Sequence, residues 1–150
     1  MFKSHKNILF LINTILILFF HNTNSESKDL QYFINIAKDY NQDFVAHKNI
    51  NPMTEKQAGD RVFYLKYYSD KFKTDIHPHR LWKDAFFIVL HETRFVNYRS
   101  LDQGKSLGWI SMRKDTIDML NKIYDFEKIP YYKIINSDKL QAKYIISYLA

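Results

Sequence analysis

Residues 81–95 read LWKDAFFIVLHETRF, a nearly continuous apolar run that ends at a histidine and a glutamate. Pro78 stands where a helix could begin, and a helix that is apolar around most of its circumference is usually buried at the centre of a domain. We therefore expect a central helix with Glu92 at its end. An acid in that position is costly unless it is solvated, paired or used in chemistry, so Glu92 is the first candidate for a functional residue.

The segments on both sides of this run also favour helices. Apolar residues recur at helical spacing near the start of the chain, at Leu30, Phe33, Ile34, Ala37 and Phe44. Thr54 and Gln57 form a capping-box pattern that predicts the start of the next helix. Further helices are expected over 115–124 and 138–149, with Pro130 breaking the chain between them. Because no strand-like alternation is present, the predicted fold class is mainly α.

Residues 1–25 form a predicted targeting segment. Lys3 and Lys6 precede an apolar run over 8–20, and no acid is present before it. This pattern is typical of a secretory signal, and the run is shorter than the roughly 20 apolar residues of a spanning helix. Two alternatives stay open: a cleaved signal peptide, or an anchor that attaches the protein to the inner membrane through 8–20. Both predict an exported periplasmic or cell-envelope protein with one domain over 26–150.

Composition narrows the function classes. The chain has no cysteine, which excludes a disulfide scaffold, a cysteine-ligated metal site and a cysteine nucleophile. The formal net charge of +6 would suit nucleic acid, but removal of Lys3 and Lys6 with the targeting segment leaves 20 basic and 16 acidic residues. The exported part is then only +4, and export itself argues against DNA or RNA as a partner.

Metal and cofactor chemistry has little support. His77, His79 and His91-Glu92 suggest zinc, but the helical H-E-x-x-H motif requires a histidine where this chain has Phe95. The sequence also has no G-x-S-x-G elbow and no glycine-rich phosphate loop. We therefore predict neither a metal site nor a cofactor.

Two short motifs are the remaining evidence in the sequence for a function. The segment Glu92-Thr93-Arg94-Phe95 is followed, after about a dozen residues, by Gly108-Trp109-Ile110-Ser111-Met112 and then by Thr116. At these residues the chain resembles the lytic transglycosylases, the soluble transglycosylase domain family with a lysozyme-like fold. In that family E-S-x-F ends a buried helix and G-L-M-Q-[IV]-M-P-x-T opens the next one. The resemblance covers 81–116.

The resemblance implies a reaction and a set of site residues. Glu92 matches the family's catalytic glutamate, which protonates the bond between N-acetylmuramic acid (MurNAc) and N-acetylglucosamine (GlcNAc). As a carboxylate it then deprotonates the sugar's own 6-hydroxyl, and a 1,6-anhydro end is formed. Thr93, Ser111 and Met112 match substrate-binding positions, and the partner is the peptidoglycan glycan strand. Glu92 must hold a proton near neutral pH, which an apolar environment from 86–90 and Phe95 would favour.

The chain departs from the family pattern at two places. Ser111 stands where the family has a substrate-contacting glutamine, and a serine is too short to make the same contact. The A-Y-N-x-G segment that follows a Y-L-A helix in the family does not follow Tyr148-Leu149-Ala150, so we expect a lysozyme-like domain that lacks its C-terminal part. Three readings stay open: an active lytic transglycosylase, an inactive truncated relative that binds or scaffolds the cell wall, and an anchored helical protein without a glycan role.

Overall fold

A computed structural model describes residues 27–46, 48, 50–97 and 105–150. The predicted targeting segment, 1–25, lies outside the described residues, as does the loop 98–104. Over the described part, the structure contains no helix that is both long and apolar enough to cross a membrane. The chain divides into two compact units, 1–33 and 34–150, and the core and site described below belong to the second unit.

The described chain is mainly helical, as the sequence predicts. Residues 27–45 are helical and form α1. The other elements, in chain order, are α2 (Glu55–Lys71), α3 (Pro78–Thr93), β1 (Ser106–Leu107), β2 (Met112–Arg113), α4 (Lys114–Ile123), α5 (Tyr131–Ile135) and α6 (Asp138–Leu149). The two strands pair antiparallel, with Ser106 opposite Arg113 and Leu107 opposite Met112. With two residues each, these strands are too short to show alternation, so the sequence did not predict them.

Helix α2 begins as its capping pattern indicates. The Thr54 hydroxyl accepts a hydrogen bond from the Gln57 backbone N–H at 3.2 Å, and the Gln57 side chain accepts one from the Thr54 N–H at 2.9 Å. Both ends of the capping box are therefore present, which confirms the prediction. One face of α2 is fully buried through Ala58, Val62 and Leu65, and the helix packs against α3 and α6.

Helix α3 is only partly enclosed, so the prediction of a helix buried around most of its circumference is wrong for one side of it. Trp82, Phe86 and Val89 are at most 1% exposed. Phe87 and Ile88, in contrast, are 52% and 41% exposed. The physical reason is that α3 packs against α2 and α6, which cover one side of it and leave the other open.

Helix α6 joins the second unit together, since it contacts α2, α3, α4 and α5. Its bounds, Asp138–Leu149, match the sequence prediction, and the Ser137 side chain caps it by accepting from the Leu140 N–H at 3.3 Å. The short α5 was not predicted, because five residues carry no helical period. It follows Pro130, whose fixed φ suits the residue before a first helical turn.

Candidate active site

A groove of about 390 Å³ opens beside the end of α3. Its walls come from α3, the β1–β2 hairpin, α4 and α6. Predicted site residues Glu92, Ser111 and Met112 all line it, and so does Thr116. Apolar groups from α3 and α6 complete the walls, among them Ile88, Ile145 and Tyr148. Residues that the sequence places in separate segments are therefore brought to one surface.

Glu92 is open to solvent. Its side chain is 60% exposed, and its Oε1 lies 3.4 Å from Nδ1 of His91, whose side chain is 83% exposed. Phe95 packs instead in the core, 5.2 Å from the Phe86 ring and 5.7 Å from the Trp109 ring between centroids. The expected apolar enclosure of Glu92 is therefore wrong for the described residues. Ile88, four residues before Glu92 on α3, is 41% exposed, and residues four apart on a helix share a face, so Glu92 lies on the open side of the helix.

Arg94 closes the end of α3. It has φ 53°, in the left-handed region, and its Nη1 donates to the carbonyl oxygens of Leu90 and, at 2.7 Å, His91. A cation over the last carbonyls of a helix is stabilising because these groups carry the negative end of the helix dipole. Among the described residues Arg94 makes no ion pair with Glu92.

The chain reverses directly after Glu92 through two consecutive left-handed residues. Arg94 has φ 53° and Phe95 has φ 58°, a conformation that non-glycine residues adopt only at a cost. Two side chains from distant helices hold this turn. Asn41 Nδ2 donates to the Arg94 carbonyl at 2.9 Å, and Arg61 Nη1 donates to the Phe95 carbonyl. Asn41 and Arg61 are themselves 2% and 6% exposed, so the turn is fixed from the buried side.

Thr93 does not line the groove. It is 3% exposed, and its hydroxyl lies 2.5 Å from the Trp109 carbonyl oxygen and 3.2 Å from that of Val89. A hydroxyl has one proton, so we assign its donation to the nearer oxygen. Thr93 thus ties the end of α3 to the turn 108–111.

The turn 108–111 depends on Gly108. Its φ is +82°, and a Cβ there would lie 2.2 Å from Gln141 Oε1. That oxygen accepts from the Trp109 N–H at 2.7 Å, while Gln141 Nε2 donates to the Ile135 carbonyl at 2.9 Å. Ser111, with φ 51°, closes the turn by donating its N–H to the Gly108 carbonyl at 3.2 Å. This geometry directs the segment Ser111–Met112 to the groove.

A charged pair lies behind both turns. Asp138 Oδ1 accepts from Arg61 Nε at 3.0 Å and from Trp109 Nε1 at 2.8 Å, and the Arg61 guanidinium lies 5.6 Å from the Trp109 ring centroid. Burial lowers the pKa of Arg61, and the Asp138 carboxylate offsets part of that shift. Sequence reasoning missed this pair. A signal was available, because Arg61 falls on the apolar stripe of α2 between Ala58 and Leu65.

Two of the three histidines that suggested zinc, His77 and His79, lie at the start of α3. His77 Nδ1 accepts from the His79 N–H at 3.2 Å and caps α3, and the His79 ring lies 6.0 Å from that of Trp82. Within the described residues, no group of three or more His, Asp or Glu side chains could hold a metal ion. The chain matches no protein-family model, and comparisons with curated proteins and with solved structures gave no match either.

Proposed function

We propose that this protein is an exported lytic transglycosylase that cleaves the MurNAc–GlcNAc bond of peptidoglycan and leaves a 1,6-anhydro end. One observation carries the proposal: Glu92, Ser111, Met112 and Thr116 line one groove. These are residues on which the resemblance to the family depends, and coincidental motif letters have no reason to converge on one surface. A lysozyme-like arrangement of the helices and export through 1–25 belong to the same proposal.

The groove suits a mechanism with a single carboxylate. Among its described lining residues Glu92 is the only acid. As general acid it gives its proton to the glycosidic oxygen, and the bond to the anomeric carbon breaks. The resulting carboxylate then takes the proton of the sugar's 6-hydroxyl, whose oxygen attacks that carbon, so no water is consumed. Because the nucleophile is tethered to the reacting sugar, a second acid is unnecessary.

The neighbours of Glu92 take supporting roles in this proposal. Tyr148, which is 55% exposed, offers a ring face on which a sugar can pack, and Ser111 presents polar groups opposite Glu92's helix. A glycan strand lying in the groove would cover Glu92 and exclude water from the reacting bond. Thr93 acts as a positioning residue through its bond to the Trp109 carbonyl.

A second candidate function is cell-wall binding without catalysis. The observation that favours it is the 60% exposure of the Glu92 side chain, since the apolar environment expected around a general acid is not present there. Ser111, at the position of the family's substrate-contacting glutamine, also favours binding without catalysis. In this alternative the groove still binds glycan strands but does not cleave them.

The test is digestion of purified sacculi by the full chain, with mass-spectrometric detection of anhydro-muropeptides. We expect Glu92→Gln to lower their rate of formation by roughly 10²–10⁴-fold, the usual contribution of a general acid or base. Asp84→Asn is the matched control, because Asp84 is an exposed acid on the same helix that pairs with Arg80 outside the groove. Its activity should equal that of the parent.

Two results would reject the enzymatic proposal: a parent protein that forms no anhydro-muropeptides, or a Glu92→Gln protein as active as the parent. Co-sedimentation with sacculi then separates the other readings. A wall-binding protein sediments with the sacculi, whereas an unrelated helical protein stays in the supernatant.

A further inference from the structure

A second cavity borders the turn that follows Glu92. It has a volume of about 220 Å³, and Phe95 and Val96 of the turn line it. The two buried side chains that hold the turn, Asn41 and Arg61, line it as well. The cavity shares no described lining residue with the groove. A molecule bound there would therefore contact the turn and both of the groups that hold it, without entering the groove.

Several of the described lining residues carry side-chain amides. We call this cavity the amide pocket and define it by Arg61 and the amides of Asn41, Asn51, Gln57 and Asn97. Asn41 is fully used within the protein, since its Oδ1 accepts from the Met53 N–H at 2.7 Å while its Nδ2 donates to the turn. Gln57 Oε1 accepts from Thr54, but Gln57 Nε2 and the Asn51 amide have no hydrogen-bond partner among the described residues. These groups are left to bind a ligand.

Arg61 contributes a buried donor to the amide pocket. Its Nε donates to Asp138 at 3.0 Å and its Nη1 to the Phe95 carbonyl, whereas Nη2 has no hydrogen-bond partner in the described part of the chain. Arg61 is only 6% exposed, and a buried donor without an acceptor is costly. Asp138 balances the charge of Arg61, and no described lining residue of the pocket is acidic. The pocket therefore favours an uncharged hydrogen-bond acceptor over an anion.

Apolar groups lie beside these donors. Ile50, Met53 and Val96 line the same pocket. An acetamido group matches this combination, because it joins a carbonyl acceptor, an N–H donor and a methyl group within a few atoms. The size agrees with such a ligand, since pockets for drug-sized molecules usually measure about 300–1,000 Å³ and this one is smaller.

We propose that the amide pocket binds the acetamido group of a small uncharged molecule, and that its occupancy stabilises the turn next to Glu92. The carbonyl oxygen accepts from Arg61 Nη2 and Gln57 Nε2, and the N–H donates to Asn51 Oδ1. Occupancy acts on the turn because Nη1 of the same guanidinium holds the Phe95 carbonyl. Binding is independent of the proposed cleavage of glycan, since no groove residue takes part in it. N-acetylated sugars and N-acetylated amino acid amides both carry the group, and experiment separates these two sources.

The experiment titrates the isotope-labelled full chain with three probes and follows its backbone amide signals by NMR. N-acetylglucosamine and N-acetylglycinamide carry an acetamido group, whereas glucose has none. The signals of Gln57 and Val96 report on the amide pocket, and those of Ser111 and Met112 report on the groove. The test variant is Gln57→Glu, because a glutamate keeps the capping box but replaces the Nε2 donor by an acceptor. The matched control is Gln42→Glu, the same change at an exposed residue of α1 that lines neither the pocket nor the groove.

We expect an acetamido probe to shift the Gln57 and Val96 signals and glucose to leave them in place. A response to both acetamido probes assigns recognition to the acetamido group alone, and a response to one of them assigns it to that source. Gln57→Glu should weaken binding about two- to tenfold, the effect of one lost hydrogen bond, and Gln42→Glu should not change it.

Occupancy should also protect the turn from opening. The Val96 N–H donates to the Thr93 carbonyl at 2.9 Å, and its hydrogen exchange should slow about tenfold at a ligand concentration of about ten times the Kd. Equal shifts with glucose, equal weakening in the two variants, or unchanged exchange at Val96 overturns the proposal. Shifts confined to Ser111 and Met112 assign the ligand to the groove, which also overturns it and leaves the proposed function intact.

Discussion

The two sides of the turns next to Glu92 are built in opposite ways. On the inner side Asn41, Arg61 and Gln141 are at most 6% exposed, and each bonds to a backbone group of the turns. On the groove side Glu92 is 60% exposed and Arg113 is 53% exposed. Buried polar side chains therefore hold the backbone of the turns in place. The side chains that could contact a substrate are exposed to solvent.

Removal of Arg61 from the buried side should have the largest effect on stability. Arg61→Ala removes the donor to the Phe95 carbonyl and leaves the Asp138 carboxylate with only its hydrogen bond from Trp109 Nε1, and loss of one member of a buried pair costs about 3–5 kcal/mol. Asp138 is 25% exposed, so the lower end of that range is expected. Urea denaturation measures the change. Arg80→Ala, which removes an exposed pair with Asp84, is the control and should cost under about 1 kcal/mol.

Gly108→Ala tests the second turn and should have the next largest effect. The new Cβ would meet Gln141 Oε1 at 2.2 Å, and alanine disfavours φ +82°. We expect a loss of about 1–3 kcal/mol in unfolding free energy. Gly59→Ala is a matched control with the opposite sign, because Gly59 lies inside α2 and its Cβ would meet only Ile34 Cδ1, at 3.9 Å. That variant should gain about 0.5–1 kcal/mol, and equal effects at both glycines would contradict the turn argument.

Thr93→Val tests the hydrogen bond between the two turns and should cost about as much as Gly108→Ala. The substitution keeps the shape of the side chain but removes the donor to the buried Trp109 carbonyl, at a cost of about 1–3 kcal/mol. Thr93→Ser keeps the hydroxyl and should recover most of the stability. If the Thr93→Val and Thr93→Ser variants had the same thermal stability, the hydroxyl would have no part in holding the turn 108–111.

The smallest expected effect is that of Glu92→Gln on stability. The carboxylate is exposed at a helix C-terminus, where a negative charge is unfavourable, so its removal should leave the unfolding free energy unchanged or raise it by up to about 0.5 kcal/mol. Chemical denaturation of this variant, measured together with its activity, would show whether a change on the groove side affects activity without affecting stability. A loss above about 1 kcal/mol would mean that Glu92 belongs to the packed side after all.

Local signals predicted much of the fold. The capping box placed the start of α2, and α6 has the predicted bounds, because caps and hydrophobic period are properties of neighbouring residues. The short α5 and the β1–β2 hairpin could not be predicted, because both are too short to show a periodic pattern of apolar residues. The exposure of Phe87 and Ile88 could not be foreseen either, because a sequence shows that a helix is apolar and not how many neighbours cover it.

For the site, Glu92, Ser111 and Met112 were named from the resemblance, and these three residues line one groove. Their roles stay predictions. The open surroundings of Glu92 and the inward position of Thr93 depend on which face of α3 meets the core, which is a tertiary property. Asn41, Arg61 and Gln141 were missed because each bonds a backbone group 32 to 53 residues away. A charged residue within an apolar stripe, as at Arg61, is the local sign of such a partner.

The pairing of Arg61 with Asp138 spans 77 residues of chain. Contacts between residues so far apart in sequence form late in folding, because the entropy cost of closing a large loop comes before any stabilising free energy from the contact. The turns next to Glu92 therefore reach their final contacts only when α6 docks. The groove is therefore expected to be among the last parts of the domain to form, and slow docking of α6 would delay its assembly without preventing the helices from forming.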